Sequence, residues 1–162
     1  YESLCEMGSP FGLRDFGGQA FNSMRLEKMY RAYGAEFTEE ISALEAGMDR
    51  FLDLSRNFIG SDNIKERQSK GVETQLAYLI FDDEIPAECF GNEAVFDGDE
   101  LSGIITSGAY GYRVGHSVAF AYLNPSHCNE GKALRVETSL GSRKCHVSMN
   151  AAYDNDNEKL RS

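Results

Sequence analysis

The sequence lacks several features that would direct it to a membrane or to nucleic acid. No stretch approaches the roughly 20 consecutive apolar residues that a membrane-spanning helix requires. No charged segment followed by an apolar one resembles a signal peptide. Positive charge is also scarce, since the formal net charge is −10. An acidic surface repels phosphates and anionic lipids, so we expect neither nucleic acid nor a membrane as a partner.

Cysteine is present, but not in a pattern that indicates a metal site or a disulfide framework. Cys5, Cys89, Cys128 and Cys145 are widely spaced, and none belongs to a Cys-x-x-Cys pair. This arrangement is typical of reduced thiols in a cytoplasmic protein. Residues that are adjacent in a strand, such as Cys145 and His146, point to opposite sides, so converging zinc ligands are not expected. We therefore predict a cytoplasmic protein without a metal.

Familiar nucleotide-binding and catalytic motifs are also missing. The glycines between Gly108 and Gly115 do not match a dinucleotide fingerprint, and no predicted helix follows them to present its amides. The segment GHSVA, which starts at Gly115, lacks the last glycine of a nucleophile elbow. We therefore assign no catalytic residue to this chain.

Helical patterns dominate the chain up to about residue 71. The pattern at the N-terminus predicts a short apolar helix, the end of one that would begin upstream. Two more helices are predicted at Gln19–Gly34 and Ser61–Lys70. Glu27 and Arg31 are four residues apart in the second helix and are expected to form an ion pair. Arg25 and Glu27 are only two residues apart, so they should face different sides.

One apolar segment between these helices fits neither a helical nor a strand period cleanly. We predict that Met48 to Leu54 forms a strand, in which the side chain of Arg50 lies opposite that of Phe51. Arg50 would then face solvent or a cavity. A guanidinium beside an apolar wall suits a carboxylate or a flat ring, because it both forks and stacks. Arg50 is therefore a candidate ligand contact.

The pattern changes to short strands from residue 72 onwards. Five runs rich in β-branched and aromatic residues are separated by Gly, Asn and Asp: QLAYLIF, GIITSG, SVAFAYL, ALRVETSL and KCHVSM. Such regular spacing is typical of a small antiparallel barrel or sandwich. We therefore predict an α+β chain with a domain boundary at about residue 71.

Four segments, taken together, resemble one known family. They are SMRLEKMYRAYG from Ser23 to Gly34, LEAGMDRF from Leu44 to Phe51, NFIG from Asn57 to Gly60 and TSGAYG from Thr106 to Gly111. In this order and spacing they resemble the C-terminal part of the dimethylglycine dehydrogenase and sarcosine dehydrogenase family. That part is itself similar to the aminomethyltransferase, or T-protein, of the glycine cleavage system. The resemblance covers nearly the whole chain.

The resemblance implies a fold and a parent enzyme. Residues 1–71 would end a folate-binding domain of aminomethyltransferase type, and residues 72–162 would form an antiparallel β-barrel. In the parent, FAD held in an N-terminal part would oxidise an N-methyl amine, and tetrahydrofolate would capture the one-carbon unit. This chain would hold part of the tetrahydrofolate site, pair with the N-terminal flavin and folate portion, and be inactive alone. A eukaryotic parent would lie in the mitochondrial matrix.

The resemblance also implies site residues and leaves two alternatives open. Arg50 is expected to contact folate, Arg25 and Glu27 to buttress the pocket, and Arg161 to lie near the folate tail. The first alternative is a glycine-cleavage-type aminomethyltransferase fragment without flavin. The second is a non-catalytic module that closes the folate cavity.

Overall fold

The computed structural model describes residues 1–87 and 89–161, in which a helical part precedes a barrel. The helices are α1 (Glu2–Gly8), α2 (Gly18–Glu27), α3 (Ser61–Lys70) and a short α4 (Glu158–Arg161) near the C-terminus. Single 3₁₀ turns lie at Ser9–Phe11, Asp49–Phe51 and Pro125–His127. None of the helices in the described ranges is both long enough and apolar enough to cross a membrane.

Six antiparallel strands close into a barrel in the order β1-β4-β3-β2-β5-β6. They are β1 (Gln75–Phe81), β2 (Ala94–Asp97), β3 (Glu100–Gly111), β4 (His116–Leu123), β5 (Ala133–Thr138) and β6 (Gly141–Ser148). Closure gives each of the described strands a neighbour on both sides. The predicted class, α+β with a small antiparallel barrel, is confirmed.

Two clusters of buried apolar side chains hold these parts together. The larger one fills the barrel and includes Leu79, Phe81, Ile105, Leu123 and Val147. The smaller one lies outside the barrel, where Leu26 of α2 packs against Tyr78, Val118 and Phe120. Neighbouring residues of a strand face opposite sides of the sheet, so β1 serves both clusters. The smaller cluster fixes α2 on the barrel wall.

An irregularity in β3 matters for the region beside α2. The register between β3 and β4 shifts between Ile105 and Ser107. Such a bulge re-aims side chains locally. Here the hydroxyls of Thr106 and Ser107 both donate to the carboxylate of Glu36, which lies outside the barrel.

Several predictions for individual elements are confirmed. The helix predicted at residues 61–70 is α3, and a short helix stands at the N-terminus. The five predicted runs of apolar residues lie in β1, β3, β4, β5 and β6. The four-residue β2 is too short to give a clear alternation, and it is not among the predicted strands. The domain boundary at about residue 71 stays a prediction.

The prediction that the second helix continues to Gly34 is wrong. α2 ends at Glu27, because Met29 adopts a left-handed conformation with φ of 57°. The amide of Met29 donates to the carbonyl of Leu26 at 2.9 Å, and that of Tyr30 donates to the carbonyl of Arg25 at 2.8 Å. These two bonds form a Schellman motif, which glycine usually supports but which Met29 supports here.

The early end of α2 overturns a second expectation. Arg31 lies beyond the helix and donates to the carbonyl of Ala46, so the expected ion pair with Glu27 does not form. The strand predicted at 48–54 is also wrong, since this segment holds the 3₁₀ turn Asp49–Phe51.

Candidate functional site

A cleft of about 570 Å³ opens between the helical part and the chain that follows β6. Three segments contribute most of its lining: residues 28–31, residues 47–51 and residues 149–157. Its apolar walls come from Met29, Tyr30, Phe37, Met48, Phe51 and Met149. The charged side chains among its lining residues are Lys28, Arg31 and Arg50, and among the described residues no carboxylate lines it. In a chain of net charge −10, this is a locally positive cleft.

Arg50 stands at the mouth of the cleft with its donors available. Its guanidinium carbon lies 4.6 Å from the centre of the Phe51 ring, and the side chain is exposed. Arg50 therefore stacks on Phe51. The strand prediction placed these two side chains on opposite sides, so that prediction is wrong. Within the described part of the chain, no hydrogen bond or ion pair uses this guanidinium.

Arg31 lies deeper and is held in place by the fold. Its Nε donates to the carbonyl oxygen of Ala46 at 2.8 Å, and its guanidinium carbon lies 5.7 Å from the Phe120 ring centre. Burial lowers the pKa of Arg31, and the nearby charge of Arg50 lowers it further. Two neighbouring cations that repel each other form a site that an anion would stabilise.

A buried ion pair fixes the loop that brings Tyr30 and Arg31 to the cleft. Glu36 is fully buried, and its carboxylate accepts hydrogen bonds from Arg25 Nη1 at 2.9 Å and from the amide of Ala32 at 2.8 Å. Its other oxygen accepts from the hydroxyls of the β3 bulge. Buried charges are tolerated when they are paired and hydrogen-bonded, and this carboxylate satisfies both conditions.

Glu27 anchors the turn between β3 and β4. Its Oε1 accepts from the amide of Arg113 at 2.7 Å and from that of Val114 at 3.2 Å. Its own carbonyl oxygen accepts from the amide of Tyr153 at 2.9 Å. A Cβ at Gly111 would come within 3.0 Å of Glu27 Oε1, so the close approach of the turn needs glycine there.

Of the four predicted site residues, the structure places one in the lining of the cleft and three outside it. Arg50 lines the cleft, whereas Arg25 and Glu27 lie behind it and are buried. Arg161 ends α4, is exposed, and is not among the residues that line the cleft. The contacts of these residues with folate stay predictions.

Sequence reasoning missed three residues of this region: Lys28, Arg31 and Glu36. The sequence pattern places Arg31 on a helix face, because no glycine marks the end of α2 at Glu27. Glu36 has no local signal, since its hydroxyl partners lie about 70 positions further along the chain. Lys28 lies among other charged residues in the sequence, and nothing in this pattern indicates a role at a site.

Elsewhere, three polar side chains in contact with one another resemble the catalytic triad of a hydrolase, but the serine is buried. Ser102 Oγ lies 2.7 Å from His127 Nδ1, and His127 Nε2 lies 3.4 Å from Asp97 Oδ2. Ser102 is only 5% exposed, so its hydroxyl is not presented to a substrate. The contact ties the 3₁₀ turn Pro125–His127 to β3. Among the described residues, no group of His, Cys, Asp and Glu side chains is arranged to hold a metal.

The N-terminal segment presents apolar side chains to solvent. α1 buries none of its residues, and Leu4, Met7 and Phe11 are 70%, 74% and 90% exposed. A second cleft, of about 1010 Å³, lies between the start of α2, β3 and the loop that holds Ala87 and Phe90. Exposed apolar surface of this kind marks interaction sites.

The barrel and the helices that lead into it match part of the fold of a glycine cleavage T-protein. The crystal structure of the glycine cleavage system aminomethyltransferase T from Bartonella henselae matches with a TM-score of 0.85. The match covers 95% of this chain and 44% of that one, at 20% sequence identity. At this identity the likeness concerns the fold.

Sequence comparison extends the likeness to the family. Residues 1–56 match the GCVT N-terminal domain, and residues 75–154 match the glycine cleavage T-protein C-terminal barrel domain. The mitochondrial dimethylglycine dehydrogenase of Mus musculus is 35% identical, and the aminomethyltransferase of Corynebacterium aurimucosum 32% identical, each over 85% of this chain. The chain belongs to the glycine cleavage T-protein family, and the resemblance inferred from its sequence is confirmed. It spans only 16% and 37% of the lengths of these two relatives.

Proposed function

We propose that this chain supplies one wall of a tetrahydrofolate site in a larger, flavin-dependent N-methyl amine dehydrogenase of the dimethylglycine and sarcosine type. In that enzyme the one-carbon unit removed from the amine passes to tetrahydrofolate. The observation that carries the proposal is the cleft in which Arg31 and Arg50 stand beside aromatic side chains, with no carboxylate among the described residues that line it. The identity with a dimethylglycine dehydrogenase supports the choice of parent enzyme.

The residues of the cleft fit the chemistry of tetrahydrofolate, which joins a flat pterin ring to carboxylates. A guanidinium binds a carboxylate through two parallel hydrogen bonds and also stacks on flat rings. Arg50 is exposed and stacked on Phe51, so it can do either without breaking an existing ion pair. Burial lowers the pKa of Arg31 and the charge of Arg50 lowers it further, and a carboxylate near both guanidinium groups would offset this repulsion.

Each group in this proposal has a limited role. Bound tetrahydrofolate would supply the nitrogen that receives the one-carbon unit, and FAD, assigned to the N-terminal part of the parent, would accept the hydride. Arg50 would bind and orient the ligand, and the buried pair of Arg25 and Glu36 would hold the loop that carries Arg31. The apolar walls would keep water from the ligand, so that the one-carbon unit is not lost as formaldehyde.

The proposed partner is the N-terminal flavin and folate portion of the same enzyme. The exposed apolar side chains of α1 and the greater length of the relatives support this partner. In a eukaryote the parent would lie in the mitochondrial matrix, as the name of the Mus musculus relative indicates for that protein. In a bacterium it would be cytoplasmic.

A second candidate is a glycine-cleavage-type aminomethyltransferase without flavin. The identity with the Corynebacterium aurimucosum enzyme favours it, since that relative is named for this activity. The two candidates differ in what precedes this segment in the gene. A nucleotide-binding fingerprint several hundred residues upstream would select the flavoenzyme.

The proposal is tested by two assays on the chain, with and without the N-terminal portion of the parent. Calorimetry under anaerobic conditions should detect weak tetrahydrofolate binding to the chain and tighter binding to the complex. Oxidation of dimethylglycine or sarcosine, followed with an artificial electron acceptor, should require the added flavin portion. Amine oxidation by this chain alone would refute the proposal. A stable complex that binds no tetrahydrofolate would instead indicate a purely structural module.

A further inference from the structure

Lys28 is a cation of the cleft whose ammonium group already has three hydrogen-bond acceptors among the described residues. An ammonium group has three N–H donors. Lys28 Nζ lies 2.6 Å from the carbonyl oxygen of Asp154, 3.1 Å from Asp154 Oδ2 and 2.7 Å from Asn157 Oδ1. Its side chain is 15% exposed and that of Asp154 is 8% exposed. Lys28 therefore has no donor left for a ligand, in contrast to Arg50.

The acceptors of Lys28 belong to a tight turn. The amide of Asn157 donates to the carbonyl of Asp154 at 2.9 Å, and both residues adopt positive φ, 58° and 45°. Asn and Asp accept this backbone conformation more readily than most residues. Burial acts to raise the pKa of Asp154, but the hydrogen bonds from Lys28 and from nearby amides outweigh it and lower the pKa. The carboxylate is thus ionised at neutral pH and pairs with the ammonium.

This turn belongs to a segment, residues 149–157, that we name the C-terminal strap. The strap forms one side of the cleft through Met149, Ala151, Asn155 and Asn157. Its second tie to α2 is the hydrogen bond from the amide of Tyr153 to the carbonyl of Glu27, directly before Lys28 in the chain. The end of α2 therefore holds the strap through two consecutive residues.

We propose that Lys28 is a positioning residue that clasps the C-terminal strap as a wall of the cleft and thereby sets ligand affinity without touching the ligand. This proposal rests on the function proposed above, since it takes the ligand to be of the tetrahydrofolate class. A lysine in a positive cleft suggests an anion contact at first sight. The saturation of its donors by Asp154 and Asn157 assigns that contact to the arginines instead.

Hydrogen exchange on the whole chain tests the clasp directly. Lys28→Met keeps the apolar stem and removes the ammonium, and Lys28→Arg keeps a charged donor. Lys132→Met is the matched control, because Lys132 also pairs with an aspartate, Asp97, but lies outside the cleft lining. Amide exchange over residues 149–157 should rise about tenfold or more in Lys28→Met, because hydrogen bonds to charged groups are among the stronger ones. Exchange in the barrel strands should not change.

Tetrahydrofolate titration of the same variants completes the test. Affinity should fall about tenfold in Lys28→Met, recover in part in Lys28→Arg and stay at the wild-type value in Lys132→Met. The proposal is overturned if strap exchange does not rise in Lys28→Met, if it rises equally in Lys132→Met, or if it rises while affinity is unchanged. A wild-type chain that binds no tetrahydrofolate, alone or with the N-terminal portion, counts against the proposed function. The exchange measurement still decides the clasp in that case.

Discussion

Arg25 Nη1 lies 2.9 Å from Glu36 Oε2 in a buried ion pair whose side chains are 8% and 0% exposed. The pair joins the end of α2 to a loop residue eleven positions later, and through Glu36 it joins both to the hydroxyls of the β3 bulge. The loop between them carries Tyr30 and Arg31 into the cleft. A single buried carboxylate thus connects the barrel wall to the candidate site.

We expect Glu36→Ala to destabilise the protein by about 3–5 kcal/mol, since it leaves the Arg25 charge buried without a partner. Glu36→Gln keeps the shape and one acceptor, so it should cost less. Urea unfolding followed by circular dichroism measures both values. Lys70→Ala is the control, because its ion pair with Glu66 is exposed and should contribute less than about 0.5 kcal/mol. A loss below about 1 kcal/mol for Glu36→Ala would show that the pair does not hold the loop.

A methyl group at Gly111 should displace Glu27 from the β3–β4 turn. The added Cβ would lie 2.7 Å from Val114 Cγ2 and 3.0 Å from Glu27 Oε1. We expect Gly111→Ala to cost about 1–3 kcal/mol in unfolding free energy, from overpacking and a weakened hydrogen bond.

Gly18→Ala is the control for this effect, because an added Cβ in the first turn of α2 meets nothing within 4 Å. It should be neutral or slightly stabilising, since alanine favours a helix more than glycine does. If both substitutions shift the urea midpoint equally, the close approach at Gly111 does not contribute to the free energy of unfolding.

Thiol reactivity should separate Cys5 from the other three cysteines. Cys5 is half-buried in the N-terminal helix, whereas burial raises the pKa of Cys89 and Cys145 to about 12 and that of Cys128 to about 11. The thiolate is the reactive form, so these three should be inert in the folded state. Ellman's reagent at pH 8 should titrate one thiol quickly and all four in denaturant. Rapid reaction of two or more thiols in the folded protein would contradict the burial of the barrel core.

Because these three thiols have raised pKa values, we expect the protein to lose stability at alkaline pH. Their folded pKa values lie above the ordinary value of 9.0. Between about pH 9 and pH 12 the folded state keeps protons that the unfolded state releases, so the folded state binds more protons. Stability is thus full below pH 9 and falls as pH rises through this window. Burial also raises the pKa of Tyr78 and Tyr122, which acts in the same direction.

Urea midpoints measured at neutral and at alkaline pH check this slope. Cys145→Ala lowers the midpoint at pH 7 because it leaves a cavity, but it should flatten the decline above pH 9. An unchanged slope in this variant would show that the thiol of Cys145 is not kept protonated by burial.

The barrel could be predicted from the sequence because strand alternation is a local signal. The apolar runs around Leu79, Phe120 and Val147 each predict a buried strand from local sequence alone. The cleft could not be predicted in the same way. Its loop begins where Met29 takes a conformation usually left to glycine, and it is fixed by Glu36, whose partners are distant in sequence.

Arg50 lines the cleft although the element predicted around it is wrong. The strand pattern predicts that Arg50 faces solvent or a cavity, but its segment forms a 3₁₀ turn. The turn brings the guanidinium onto Phe51, and this stacking leaves its donors free for a ligand. The contact of Arg50 with folate, which the family resemblance implies, stays a prediction.

Tetrahydrofolate titration of wild type, Arg50→Ala and Arg56→Ala tests whether this cleft binds folate. Arg56 is the control, because it is an exposed arginine that pairs with Asp53 and lies outside the cleft lining. We expect saturable binding to wild type and Arg56→Ala, and binding about tenfold weaker to Arg50→Ala at equal stability, since the substitution removes a charge-assisted hydrogen bond. Equal affinities for all three proteins, or no binding even when the N-terminal portion is supplied, would contradict a folate site in this cleft.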